Sequence, residues 1–189
     1  MNKPVFYDTD CLESFLFVDA GYILEKLFSK IIIPEQVYNE LTDDNTPAIV
    51  KTNFKKLKDG FVETKEIQFA SQEYTTYKSI KKGFWSKMGK ICGKGESAAM
   101  ALAHLNNGIV ASNNLSDVEE YIESLDIELI TSSMILSKAV ENDIVSENTA
   151  NILWKGMVDE DIYLPRDSFM DYYNELYESD CERFLKGER

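Results

Sequence analysis

The chain has 189 residues, 44% of them hydrophobic and 12% aromatic, which supplies a folded core and excludes an intrinsically disordered chain. No apolar run approaches the roughly 18 residues of a membrane span, and the N-terminus lacks a basic stretch followed by an apolar segment and a cleavage site, so a cytoplasmic protein with no membrane association is expected. A net charge of −13 argues against phosphate binding, but eleven lysines stand against four acids in residues 51–94, a local net of +7 that leaves −20 for the rest.

Val5–Tyr7 reads as a short buried strand ended by Asp8. Asp10 then suits the N-cap of one helix carrying Leu12, Phe15, Leu16, Ala20, Ile23, Leu24 and Leu27 at helical spacing. Ile31-Ile32-Ile33 is a second buried strand, and Pro34 suits the first turn of a helix bearing Val37, Glu40 and Leu41. Residues 43–47 form a loop, and a basic helix leads to an alternating edge strand over Phe61–Ile67. A helix near 71–82 runs into the aromatic and basic loop Gly83–Lys90. Gly93-Lys94-Gly95 serves as a flexible lead-in to an Ala-rich helix from Glu96 to Leu105.

Further strands fall at Ile109–Ala111 and Leu129–Ile130, each followed by a helical pattern, over 115–125 and 133–142. Strands alternating with helices mean an α/β fold, a three-layer α/β/α arrangement on a mainly parallel sheet. A helix carrying Ile152, Leu153, Trp154 and Met157 follows, then a terminal helix over Ser168–Tyr177. Residues 141–189 carry a net of −8. The expected organisation is a domain over 1–145 and an acidic helical C-terminal extension over 146–189 packed on it.

Several chemistries are disfavoured. Cys11, Cys92 and Cys181 are odd in number and lack CxxC spacing, which fits reduced thiols. His104 is the single histidine, so zinc has no ligand pair at the required spacing and Ser–His catalysis would rest on that one residue. From Gly83 to Gly89-Lys90 there are five intervening residues where a phosphate loop needs four, and Ile91 replaces its Ser or Thr.

The acids that remain make sense together. Asp8, Glu40 and Glu96 lie far apart in sequence, each where a strand end or a helix would aim a carboxylate into a shared cleft. Asp and Glu oxygens are hard ligands suited to Mg²⁺ or Mn²⁺. The segments carrying them also resemble a known family. Asp8-Thr9-Asp10-Cys11-Leu12 is similar to the D-T-S/N-x-L opening of PIN-domain nucleases, and Val37-Tyr38-Asn39-Glu40-Leu41 to their V-x-x-E-L segment. Gly95-Glu96-Ser97-Ala98-Ala99-Met100-Ala101-Leu102-Ala103, followed by Gly108–Asn114, resembles their G-E-x-x-A-x-x-L-A helix and the strand after it. The resemblance spans residues 4–145.

It implies a PIN-like fold and a metal-dependent ribonuclease, with Asp8, Glu40 and Glu96 as catalytic metal ligands and water as the attacking group. It also implies RNA as substrate, a toxin role with a cognate antitoxin or inhibitor protein as partner, and a homodimer. Where the family has a fourth Asp, this chain reads Ser112-Asn113-Asn114. Asn113 or Asn114 could ligate through a carbonyl oxygen without adding charge. Asp117, one turn onward, would either reach in or close a capping box with Asn114 as N-cap. Asp10 is either an N-cap or an extra carboxylate. The basic loop would track RNA through Lys81, Lys82, Lys87, Lys90 and Lys94, with Phe84 or Trp85 stacking on a base. The alternative reading is a PIN-like binding or regulatory subunit weakened in catalysis by the Asn pair.

Overall fold

The computed structural model of the chain describes residues 3–186. Val5–Tyr7 (β1), Ile31–Pro34 (β2), Val62–Lys65 (β3), Ile109–Ala111 (β4) and Glu128–Ile130 (β5) form one parallel sheet in the order β3-β2-β1-β4-β5. Every residue of β1, β2, β4 and β5 is buried. Continuous apolar strands are what a parallel sheet covered on both faces requires. β3, at one edge of the sheet, is partly exposed along its whole length, its central Glu63 and Thr64 most of all, whereas β5 at the other edge is covered by α11.

Helices α1 (Thr9–Phe17), α2 (Gly21–Leu27), α3 (Glu35–Thr42) and α4 (Ala48–Lys56) connect β1, β2 and β3. Helices α5 (Gln72–Lys81) and α6 (Lys94–Leu105) return the chain to β4, and α7 (Leu115–Leu125) leads to β5. The chain thus steps outward from β1 in one direction and from β4 in the other. Right-handed crossovers then place the two sets of helices on opposite faces, giving the expected α/β/α layers. Helix α6 covers β1, β2 and β4, its Ala98, Ala99, Ala101 and Ala103 fully buried, so small side chains let it lie close to the sheet.

After β5 come α8 (Ser132–Glu141), α9 (Glu147–Asp159), α10 (Phe169–Glu175) and α11 (Tyr177–Phe184). Helices α8 and α9 pack on α1, and α11 on α8 and β5. Trp154, Phe169, Tyr172 and Phe184 belong to the same hydrophobic core as the strands. Trp154 stacks on Tyr172 at 5.5 Å between centroids and donates its indole N–H to the Arg166 carbonyl at 3.1 Å. Glu128, buried at the start of β5, accepts hydrogen bonds from the Lys3 ammonium and the Lys186 backbone N–H, pinning both ends of the described chain to that strand. Residues 1–2 of the expected first domain and 187–189 of the expected extension lie outside the described residues. Among the described residues no helix is long and apolar enough to cross a membrane.

Several elements differ from expectation. The helix expected to run through Leu27 breaks at Asp19, whose φ of 52° is left-handed, before α2 begins. Apolar spacing continues across the break, and Asp is among the few residues that tolerate this conformation. The N-cap of α1 is Asp8, not Asp10, because Asp8 Oδ1 accepts the Cys11 N–H at 2.9 Å. Helix α6 starts at Lys94 with Gly93 as N-cap, so Lys94 and Gly95 are helical rather than a flexible lead-in. Pro34 ends β2 and caps α3 instead of entering it, and the terminal helix divides at Leu176.

Candidate metal centre

In an open parallel sheet the crevice opens where neighbouring strands send their chains in opposite directions, beyond the strands' carboxyl ends. Here that point lies between β1 and β4. Asp8 follows β1 directly, with its N–H bonded to the Ala111 carbonyl at 2.9 Å, and Ser112-Asn113-Asn114 follows β4. Helix α6 begins at the same end of the sheet and delivers Glu96 from its first turn. Helix α3 lies against α6 and delivers Glu40.

The result is an open cleft of about 340 Å³ lined by Asp8, Thr9, Asp10, Glu40, Glu96, Asn114 and Asp117, with Lys94 its one basic side chain. Five carboxylates drawn from four segments thus share one wall-to-wall space. Gly95 makes this possible. A Cβ there would lie 3.0 Å from Glu40 Oε2, 3.1 Å from Val37 Cγ2 and 3.3 Å from Thr9 Oγ1, so only a glycine lets α3 and its Glu40 come this close without crowding.

Each carboxylate is held differently. Asp8 is 1% exposed; its Oδ1 caps α1, its buried Oδ2 makes no hydrogen bond of normal geometry, and the Ser112 hydroxyl lies near enough to the carboxyl to favour its charged form. Burial raises the Asp8 pKa well above the usual carboxylate value, partly offset by the Ser112 hydroxyl and the Cys11 amide, while Asp10 and Glu96 add to the rise. Glu96 uses both oxygens: Oε2 accepts the Gly93 N–H at 2.8 Å and Oε1 an Asn114 amide hydrogen at 2.7 Å. Its pKa is also raised, chiefly by burial, and lowered in part by those two donors. Glu40 accepts a short hydrogen bond from the Thr9 hydroxyl. Nearby, burial and then the Glu96 and Asp117 charges push the Cys92 thiol up to about 12, so it is no nucleophile at neutral pH.

The two asparagines part company. Asn113 turns away from the cleft: its amide nitrogen donates to Ser14 Oγ at 2.9 Å, and its oxygen accepts from the Ser132 backbone N–H at 2.9 Å and hydroxyl at 2.8 Å. It braces β4 to α1 and to the start of α8, and its carbonyl oxygen is spent there. Asn114 stands in the cleft. It occupies the N-cap position of α7 but makes no capping bond; instead its amide nitrogen donates to Glu96 and, at 3.0 Å, to Asp117 Oδ2. Asp117 therefore faces the cluster.

Whether this set suits a divalent cation can be asked of Asp8. A buried, unpartnered carboxylate oxygen costs free energy unless something positive meets it, and the surrounding donors are all oxygen. That fits a hard ion. Among the described residues, however, no three His, Cys, Asp or Glu side chains converge as they stand on one point. Like charges hold apart, and Glu40 and Glu96 are occupied by internal donors.

The basic loop is placed less centrally. Trp85 packs on His104, with centroids 6.1 Å apart, eight residues along α6 from Glu96, or roughly 12 Å at the helical rise. Lys82 lies over the exposed Phe84 ring at 5.8 Å, and the Lys90 ammonium bonds the Ser116 carbonyl near the start of α7. Lys81, Lys82, Lys87, Lys90 and Lys94 make no ion pair among the described residues, whereas Lys56 and Lys58 do.

Sequence reasoning missed Thr9, which positions Glu40, and the buried Ser112 beside Asp8. It also missed Glu13, half-buried in an adjoining cavity of about 750 Å³ that includes Asp10, Phe17, Asn114, Glu160, Asp161 and Tyr163. Burial, then Asp10 and Glu40, raise its pKa to about 7. Its place one turn beyond Asp10 on the cleft side of α1 was the available signal.

Residues 4–178 match a family model described as a PIN domain. The chain belongs to the PIN-domain family. The match takes in α9 and α10 as well as the whole sheet, and no curated protein matches the chain. The PIN fold is a nuclease fold whose members generally use divalent metal ions, and the carboxylate cleft of this PIN domain lies where its β1–β4 crevice opens.

Proposed function

We propose that this PIN domain is a metal-dependent endoribonuclease whose active centre is the cleft of Asp8, Glu40 and Glu96, with Asp10 beside them. The single observation that carries the reading is Asp8 itself, a buried acid whose Oδ2 makes no hydrogen bond, at a cleft that four further carboxylates line. Mg²⁺ or Mn²⁺, held there by Asp8 and Glu40 with Glu96 at their side, would supply an activated water and neutralise charge building on the phosphate. Thr9 fixes the Glu40 carboxylate, the Gly93 N–H fixes that of Glu96, and the Cys11 N–H fixes Asp8 through its other oxygen. Lys94, at the rim, offers an ammonium to a phosphate oxygen.

RNA would approach over the α5–α6 side, where the lysines of residues 78–94 are free of ion pairs and Phe84 and Trp85 offer rings for stacking. Adjoining the cleft is the acidic cavity of Asp10, Glu13, Glu160 and Asp161, which repels phosphate and suits a basic segment of a protein inhibitor such as an antitoxin. A homodimer, a toxin role and a cytoplasmic location accord with this reading. The test is cleavage of mixed RNAs by purified protein with Mn²⁺ or Mg²⁺, set against Asp8→Asn. Equal cleavage by both proteins would remove this site from the mechanism. The second reading, a PIN domain that binds without turnover, is favoured by the neutral Asn114 at the fourth position; RNA binding with no Mn²⁺-dependent cleavage would select it.

A further inference from the structure

We infer that the cleft takes one divalent cation per chain rather than two, because the side-chain amide of Asn114 already occupies Glu96 and Asp117, the carboxylates that a second cation would need. The inference rests on the metal-dependent reading of the cleft and goes beyond it. Asn114 Nδ2 lies 2.7 Å from Glu96 Oε1 and 3.0 Å from Asp117 Oδ2, so its two N–H groups serve one carboxylate each. The assignment of nitrogen and oxygen is fixed by chemistry: ionised carboxylates only accept, so the NH₂ edge faces them. The other edge is held as well, since Asn114 Oδ1 accepts the Ser116 hydroxyl at 2.9 Å.

A cation between Glu96 and Asp117 would meet two N–H groups pointing at it. To ligate through oxygen the amide must turn over, giving up all three hydrogen bonds, and it would still bring no negative charge. Asn113 cannot substitute, because its oxygen is committed to Ser132 on the far side of β4. In the other half of the cleft, Asp8 Oδ2 makes no hydrogen bond, Asp10 lines the same space, and Glu40 holds only the Thr9 hydroxyl, a single donor that can rotate away, where Glu96 and Asp117 share a fixed amide. Asn114 is thus a positioning residue, stabilising two carboxylates by donation where an ion would offset their charge.

The probe is Mn²⁺ alone, added to metal-free protein in about 0.15 M salt to screen the diffuse acidic surface. Binding is read by calorimetry and by loss of the free-ion electron paramagnetic resonance signal, with no substrate present. The expected result is one site per chain that Asp8→Asn abolishes and Asp117→Asn leaves within about threefold in Kd. Asn114→Asp should bind two Mn²⁺ per chain. Two sites in the wild type, loss of the site in Asp117→Asn, or a single site in a folded Asn114→Asp would each overturn the inference. Should Asn114→Asp fail to fold without metal, Asp117→Asn and the wild-type stoichiometry still decide. If no protein of the set binds Mn²⁺, the metal-dependent reading falls, and this inference with it.

Discussion

Replacing Asp8 by Asn should make the metal-free protein more stable and the metal-loaded protein less so. The side chain is 1% exposed and one of its oxygens has no partner, so the folded state carries an unsatisfied, desolvated acid. Asn preserves the acceptor that caps the Cys11 N–H, so the start of α1 survives, and its new amide group lies beside the Ser112 hydroxyl, which can accept. Removing an unsatisfied buried polar group is worth about 1–3 kcal/mol. In a domain of this size each kcal/mol moves Tm by about 2–4 °C.

The sign with pH follows from the raised pKa of Asp8. Between the ordinary value of 3.8 and its higher folded-state value, the folded chain holds the proton more tightly than the unfolded one. Wild-type stability from this group is therefore intact below that ordinary value and is lost as pH rises through the folded-state one. The advantage of Asp8→Asn should vanish in acid and grow toward neutrality. Mn²⁺ reverses the order: at about 1,000 times its Kd a ligand specific for the folded state adds ~4.1 kcal/mol to the wild type. The variant, lacking the ligand oxygen, gains little. Urea unfolding in EDTA and in Mn²⁺, at pH 5 and pH 8, measures all four corners. A variant less stable than the wild type in EDTA would refute the reasoning, since Asp8 would then be a structural group.

Glu13→Gln should raise stability at pH 8 by about 1 kcal/mol, discounted for partial solvent exposure, and by nothing at pH 4, because the wild-type carboxyl titrates near 7 when folded; a pH-independent effect in thermal melts would contradict this. Gly95→Ala should weaken Mn²⁺ binding about tenfold, near 1.4 kcal/mol, by pressing on Glu40 and Thr9; calorimetry showing unchanged affinity would mean Glu40 is no ligand. Trp154→Ala should cost about 3–5 kcal/mol and lower a single cooperative transition, since the α9–α10 packing is part of the common core; a separate early transition would instead mark residues 146–189 as an independent unit. Reversing Lys82, Lys87 and Lys90 to Glu should weaken RNA binding and flatten its log–log salt slope by about 0.7 for each phosphate no longer neutralised. An unchanged slope would leave the lysine-rich face merely solvated.

Strand positions and their parallel arrangement were legible along the chain, because buried apolar runs of three or four residues and alternating helices depend on neighbours in sequence, and the strand and helix ends so placed bring Asp8, Glu40 and Glu96 to one cleft. The helix break at Asp19 was not, since a left-handed residue leaves the apolar period undisturbed. Nor could spacing separate Asn113 from Asn114. Adjacent residues leaving a strand point to opposite sides, and only the packing of α1 and α8 against β4 makes one a brace and sends the other into the cleft. The charge asymmetry of residues 51–94 was plain from composition, yet the position of Trp85 against His104 was set by how the loop folds along α6. Local residue chemistry determines which groups can ligate an ion. Which of their atoms remain free to do so depends on hydrogen bonds between segments far apart in the chain, and those exist only once the sheet has assembled.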